Sequence, residues 1–209
     1  MIDILIPGFD IALTAASGQC FRFDRIGNMR FRVIASGRRL EIEDLGAHRF
    51  RPDCDEQIWR SFWHDYFDMD RDYAAVMAAI PEDDIFLREA AAFAGGLRIL
   101  RQDPWEILIT FIISQRKSIP AIASAVEKLC QRAGEEIKTP LEILYTFPTP
   151  QKLSSLSPED LKACSLGYRI PYIAKSAEII KKSPHLLKDM ATYDDEQLLN
   201  ALMELNFGS

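Results

Sequence analysis

Leu97-Arg98-Ile99-Leu100-Arg101-Gln102-Asp103-Pro104-Trp105-Glu106-Ile107-Leu108-Ile109-Thr110-Phe111-Ile112-Ile113-Ser114 joins a helix-start signal to a segment that is apolar almost all round. Asp103 before Pro104 reads as an N-cap with proline at the first helical position, where no backbone N–H is required. Glu106, three residues after Asp103, has the spacing of a capping box. Beyond it, apolar residues occupy nearly every face, which predicts a buried helix of a larger domain rather than an amphipathic surface helix.

Upstream of this run the pattern has a period of two. Cys20–Ile26 and Met29–Ile34 alternate apolar with polar around the turn pair Gly27-Asn28, and Arg39–Glu43 alternates again after Ser36-Gly37. The first fifty residues therefore read as strands and turns, forming a small antiparallel sheet whose wet face carries the arginines. From Asp55 the spacing becomes helical, with Ile58, Trp59, Phe62, Trp63, Tyr66 and Phe67 on one stripe, and the chain reads as helical from there to its end. Ser157-Pro158-Glu159-Asp160 and Thr192-Tyr193-Asp194-Asp195-Glu196 repeat the helix-start device, the latter opening a last helix to about Leu205. Pro140, Pro148 and Pro150 interrupt the intervening segments around a short piece, Leu141–Leu144.

Composition narrows the functional classes. The chain has 209 residues, 48% hydrophobic and 27% charged, which suits one large or two small folded domains and excludes a disordered polymer. No run of eighteen apolar residues is present, and Met1–Pro7 lacks the basic start and apolar core of a signal peptide, so the expectation is a cytoplasmic protein with no membrane partner. Cys20, Cys54, Cys130 and Cys164 form no Cys-x-x-Cys pair, and His48, His64 and His185 are scattered, so neither a metal nor a cofactor is expected. The net charge of −6 is unevenly spread: residues 100–190 hold 13 Lys/Arg against 10 Asp/Glu, and the acids concentrate elsewhere. Trp59, Trp63, Tyr66 and Phe67 could stack bases, but their i/i+3/i+4 spacing fits a core-facing helix. Lys175, Lys181 and Lys182 sit on a charged helix face, without the desolvation that makes a lysine nucleophilic.

Three segments, in this order and at similar separations, carry a family resemblance: Ser17-Gly18-Gln19-Cys20-Phe21-Arg22-Phe23, the run Leu97–Ser114, and Leu166-Gly167-Tyr168-Arg169. With them the chain resembles the 8-oxoguanine DNA glycosylases of the helix–hairpin–helix superfamily. The resemblance implies an α+β fold, with a TATA-binding-protein-like antiparallel sheet and helices over 1–85, followed by an all-α glycosylase domain over 86–209. It implies base-excision repair of double-stranded DNA containing an oxidised purine, by N-glycosylase and AP lyase action.

The same resemblance assigns residues. The backbone carbonyl of Gly18, beside Gln19 in the lesion pocket, would accept a hydrogen bond from the N7 proton that 8-oxoguanine has and guanine lacks. Tyr168 would wedge beside the extrahelical nucleotide and Arg169 would contact the orphaned base, planar groups that replace lost stacking. Arg116, Lys117 and Ser118 stand where eukaryotic members carry an asparagine run, and Ala121 stands where those members have an arginine. The turn is thus expected to touch DNA with less selectivity for cytosine.

Ala201–Asn206 matches the approach to the family's Gly-x-Gly hairpin, and the chain ends at Ser209. The attacking lysine and the later aspartate are therefore expected beyond Ser209, leaving the helical domain incomplete and no catalytic residue among these 209. The residues alone also accommodate a non-catalytic DNA- or protein-binding module on the same scaffold, or an alkylpurine DNA glycosylase. Ser17–Phe21 favours the oxidised purine over the alkylated one.

Overall fold

The computed structural model describes residues 2–205, except the side chain of Glu204; Asn206–Ser209, including the last residue of the stretch matched to the hairpin approach, lie outside the described residues. The chain divides into two compact units, 1–34 with 39–101 and 35–38 with 102–209.

The first unit is built on a five-stranded sheet in the order β1-β5-β4-β3-β2. Its strands are β1 (Ile4–Leu5), β2 (Phe23–Gly27), β3 (Arg30–Ala35), β4 (Arg38–Gly46) and β5 (Arg49–Pro52). The three segments read as strands are present, though the first starts at Phe23 rather than Cys20. Two features depart from the reading of residues 1–50 as strands and turns only. Helix α1 (Ile11–Ala16) forms where Asp10 Oδ1 accepts from Leu13 N–H at 2.8 Å. Edge strand β1 pairs with β5, Ile4 opposite Phe50, a non-local match too short to leave a periodic signal.

Alternation then sorts the sheet's two faces. Phe31, Val33, Leu40, Ile42 and Phe50 are at most 2% exposed on one side. On the other, Glu41 is bound by Arg30, Arg32 and Arg39 at 2.9–3.1 Å, and Arg39 also meets Asp53 at 2.7 Å. The arginine face expected from the sequence is thus a mutually neutralising network rather than a bare basic surface.

The apolar face is covered by a helical stretch made of α2 (Glu56–Ile58), a π-helical segment Trp59–Trp63 and α3 (His64–Tyr66). Trp59, Trp63, Tyr66 and Phe67 are buried, as their spacing predicts, and Phe67 lies among Phe9, Phe23, Trp59, Trp63 and Tyr66 with ring centroids 5.2–6.1 Å apart. Ile58 of the same predicted stripe is 38% exposed. Next to this cluster Asp68 is buried with φ +51°; its carboxylate accepts from Tyr73 Oη at 2.8 Å and Arg101 Nε at 2.8 Å, and faces Arg71 Nε at 2.9 Å. Helices α4 (Tyr73–Ala78) and α5 (Ile85–Phe93) complete the unit.

The second unit contains α6 (Pro104–Ser114) and α7 (Ile119–Ala133), then a two-stranded sheet, β6 (Glu136–Lys138) and β7 (Ile143–Tyr145). It continues through α8 (Pro150–Ser154), α9 (Pro158–Ala163), a 3-10 turn Gly167–Arg169, α10 (Ile170–Lys182), α11 (Leu186–Asp189), a second 3-10 turn Met190–Thr192 and α12 (Asp195–Glu204). The helix starts read at Asp103, Ser157 and Asp194 are all N-caps, the last two with the reciprocal bond of a capping box. Glu106 turns its Oε1 to the Ser36 N–H at 2.8 Å.

The expectation of uninterrupted helix to the end is corrected by β6 and β7, whose register puts Ile137 opposite Leu144. Gly134 makes this hairpin fit directly after α7, because a Cβ there would lie 2.0 Å from the Thr146 carbonyl oxygen. The core helix α6 buries Trp105, Leu108, Ile109, Ile112 and Ile113, and Trp105 Nε1 donates to the Pro148 carbonyl at 2.9 Å. It is not enclosed on all faces: Ile107 and Phe111 are 44% and 55% exposed along an apolar groove of about 620 Å³ shared with α12. No described helix is long and apolar enough to cross a membrane.

Candidate functional site

Each of two short turns of the second unit is shaped by a residue in the left-handed region. After α6 the chain extends at Gln115, takes φ +49° at Arg116, and re-enters helix at Ser118, the N-cap of α7, with Pro120 in its first turn. After α9, Ser165 takes φ +61° and Gly167 φ +60°. Ser165 turns the chain out of α9 and Gly167 opens the 3-10 turn that carries Tyr168 and Arg169.

These two turns meet. Lys117 Nζ donates to the Ser165 carbonyl at 2.6 Å, Tyr168 Oη donates to the Gln115 carbonyl at 3.4 Å, and an Arg169 terminal nitrogen donates to that same Gln115 carbonyl. Lys128, from α7, donates to Ser165 Oγ at 3.0 Å. Tyr168 is 54% exposed while Arg169 is buried at 6%, its guanidinium 4.4 Å from the Tyr168 ring centroid. Of the sequence-predicted residues, Lys117, Tyr168 and Arg169 thus form one cluster, joined by Gln115, Lys128 and Ser165, with Arg116 and Ser118 on the same turn as Lys117.

The cluster is electropositive. Burial disfavours the charged form of Lys117, and the nearby Arg169 and Lys128 add to this, so its pKa falls below the ordinary lysine value. The closest ion pair on this stretch, Arg132 to Asp160 at 2.9 Å, leaves Asp160 already engaged.

Gly18 and Gln19 belong to the first unit and lie just after α1. Gly18 is exposed with φ +79°, and a Cβ there would meet nothing within 4 Å. Backbone conformation, not crowding from the rest of the unit, is what requires glycine. The Gln19 amide holds this loop in place: Nε2 donates to the Arg98 carbonyl at 2.9 Å and Oε1 accepts from Leu100 N–H at 2.9 Å. The described residues contain no group of three or more His, Cys, Asp or Glu that could hold a metal.

Comparison with known families decides the lineage. Residues 2–108 match the model of the 8-oxoguanine DNA glycosylase N-terminal domain, and residues 109–209 match that of the HhH-GPD superfamily base excision DNA repair proteins. The chain belongs to the 8-oxoguanine DNA glycosylase family. Within that family, the N-glycosylase/DNA lyase of Saccharomyces cerevisiae is 38% identical over 101 residues, a stretch that is 46% of this chain and 27% of the yeast protein. The solved structure of MBOgg1 in complex with a low affinity DNA ligand superposes with TM-score 0.89 at 32% identity, over 95% of this chain and 68% of that one. The Clostridium acetobutylicum 8-oxoguanine glycosylase/lyase, solved with dsDNA containing cytosine opposite 8-oxoG, gives TM-score 0.89 at 29% identity, over 96% of this chain and 69% of that one. The chain thus spans about a quarter of the yeast relative by its matched segment and about two-thirds of the glycosylase structures.

Sequence reading missed Gln115, Lys128 and Ser165. Gln115 and Ser165 act through a carbonyl and a bent backbone, which no side-chain pattern announces. Lys128 is one of several exposed lysines on amphipathic helices, and only the turn of α9 toward α7 singles it out.

Proposed function

We propose that this chain recognises 8-oxoguanine in double-stranded DNA for base-excision repair, with Tyr168 as the wedge beside an everted nucleotide and the Arg116–Ser118 turn and Arg169 at the orphaned base. The observation that carries this reading is the convergence of the Gln115–Ser118 and Ser165–Arg169 turns into one electropositive cluster with a half-exposed tyrosine at its surface. A planar ring can replace stacking lost on eversion, and positive charge offsets the phosphates. N-glycosylase and AP lyase chemistry accompanies this recognition in the family, and the cytoplasm is its compartment here.

Binding of a duplex with one 8-oxoguanine, compared with the same duplex bearing guanine, tests the wedge. Tyr168→Ala should weaken the lesion duplex several-fold more than the ordinary one; an equal loss for both overturns the assignment. Borohydride trapping tests the chemistry separately. A covalent protein–DNA adduct supports the glycosylase/lyase, and binding without one supports a non-catalytic module on the same scaffold.

Gly18 supplies the lesion-reading carbonyl in this proposal. Gly18→Ala puts a side chain at φ +79°, which costs about 1–2 kcal/mol of backbone strain. As the carbonyl turns to relieve that strain, the preference for 8-oxoguanine over guanine should fall by roughly 5- to 160-fold, the range of one hydrogen bond to a group otherwise left facing an acceptor. A folded variant with the wild-type preference would remove Gly18 from the pocket.

A further inference from the structure

We infer that Lys117, Lys128 and the Ser165 hydroxyl form a phosphate-binding site that seats one backbone phosphate of the DNA beside the Tyr168 wedge. This deepens the DNA-recognition reading and rests on it for the identity of the ligand.

The two ammonium groups come from different elements, the turn after α6 and the body of α7, yet both end on one residue. Lys117 Nζ reaches the Ser165 carbonyl at 2.6 Å and Lys128 Nζ reaches its hydroxyl oxygen at 3.0 Å. Each uses one of its three N–H donors there, and the Ser165 hydroxyl, while accepting, keeps its own hydrogen to give. Several unspent donors therefore surround Ser165, which is exposed, as is Lys128.

Charge gives the same answer. Neither Lys117 nor Lys128 forms an ion pair among the described residues, and Asp160 nearby is taken by Arg132 at 2.9 Å and by Ser157. Arg169 adds a third cation whose buried Nε has no hydrogen-bond partner. Three like charges held together on neutral acceptors repel one another, which adds to burial, the larger cause, in lowering the Lys117 pKa. An anion with several acceptor oxygens relieves that repulsion and meets the free donors together, which a phosphate does and a single carbonyl does not. Ser165 lies three residues before Tyr168, so a phosphate seated there would set the register of the tyrosine without reading sequence.

The test is duplex binding across a salt series, with lesion and ordinary DNA in parallel. Lys128→Ala should weaken both duplexes equally and reduce the slope of log affinity against log salt by about 0.9, the value for one phosphate. Lys128→Arg should restore both, and Lys162→Ala, an exposed lysine of α9 outside the cluster, should change neither. An unchanged slope in Lys128→Ala overturns the site. A second arm needs no DNA: inorganic pyrophosphate, against sodium chloride of equal ionic strength, should raise the melting temperature of the wild type but not of Lys117→Ala/Lys128→Ala. An equal response in both proteins also overturns the site. A wild-type-only response without duplex binding would keep the site and defeat the DNA reading instead.

Discussion

Asp68→Ala should destabilise the protein by about 3 kcal/mol, the lower end of what breaking a buried ion pair costs. The carboxylate is 2% exposed and serves Tyr73, Arg71 and Arg101 together, so its removal takes one shared acceptor from three donors. The lower end applies because Arg71 and Arg101 keep about half of their side-chain surface in water, at 54% and 51%. Burial alone would raise the Asp68 pKa, but the hydrogen bonds from Tyr73 and Arg101 and the charges of Arg71 and Arg101 outweigh it, and it lies below the ordinary 3.8. The stabilisation is therefore complete above about pH 4 and is lost as pH falls through the lowered folded-state value. Urea unfolding from pH 7 down to pH 2 checks both points: Asp68→Ala should be less stable at neutral pH and lose less on acidification. A variant as stable as the wild type at pH 7, with the same acid limb, would remove Asp68 from the role.

Trp63→Ala should cost about 3–5 kcal/mol, the usual range for emptying a large aromatic site in a packed core. Trp63 is 1% exposed, and its ring lies 4.8, 5.4 and 6.1 Å from those of Phe62, Tyr66 and Phe67. Phe67 is itself held against Phe23 of β2 at 5.9 Å, which limits how far the cavity can close by a local shift. Ile58→Ala, on the same run but 38% exposed, should cost well under half as much. Denaturant unfolding followed by far-ultraviolet circular dichroism measures both. Equal losses at the two positions would mean that the aromatic cluster is not the core of this unit.

The residues differ in how far their roles could be read beforehand. Asp103, Ser157 and Asp194 announce helix starts because capping is a contact among neighbours three residues apart, and Trp59–Phe67 announce a core face because helical spacing repeats within nine residues. The order of Gly18, the 97–114 run and Tyr168-Arg169 was enough to expect the family that the domain matches show. Asp68 gave no signal: it looks like one more acid in the run Asp65 to Asp72, and only Tyr73 and Arg101 folding back onto it make it a buried anchor. Lys128 likewise looks like one more exposed helix lysine until Ser165 meets it.

What the sequence by itself determined is whatever depends on near neighbours: the β2–β3 hairpin at Asn28, the capped ends of α6, α9 and α12, and the two-faced sheet. What only the tertiary structure decided depends on residues far apart in the chain. Strand β1 is defined by β5, some forty-five residues later; β6 and β7 exist because Gly134 lets the chain approach Thr146; the electropositive cluster exists because Ser165 meets Lys117 and Lys128. The division has one physical cause. A cap or an alternating strand is stabilised mainly by interactions its own few residues supply, whereas a two-residue strand or a lysine on a carbonyl is stable only after distant segments have been brought together, and no local pattern records that closure.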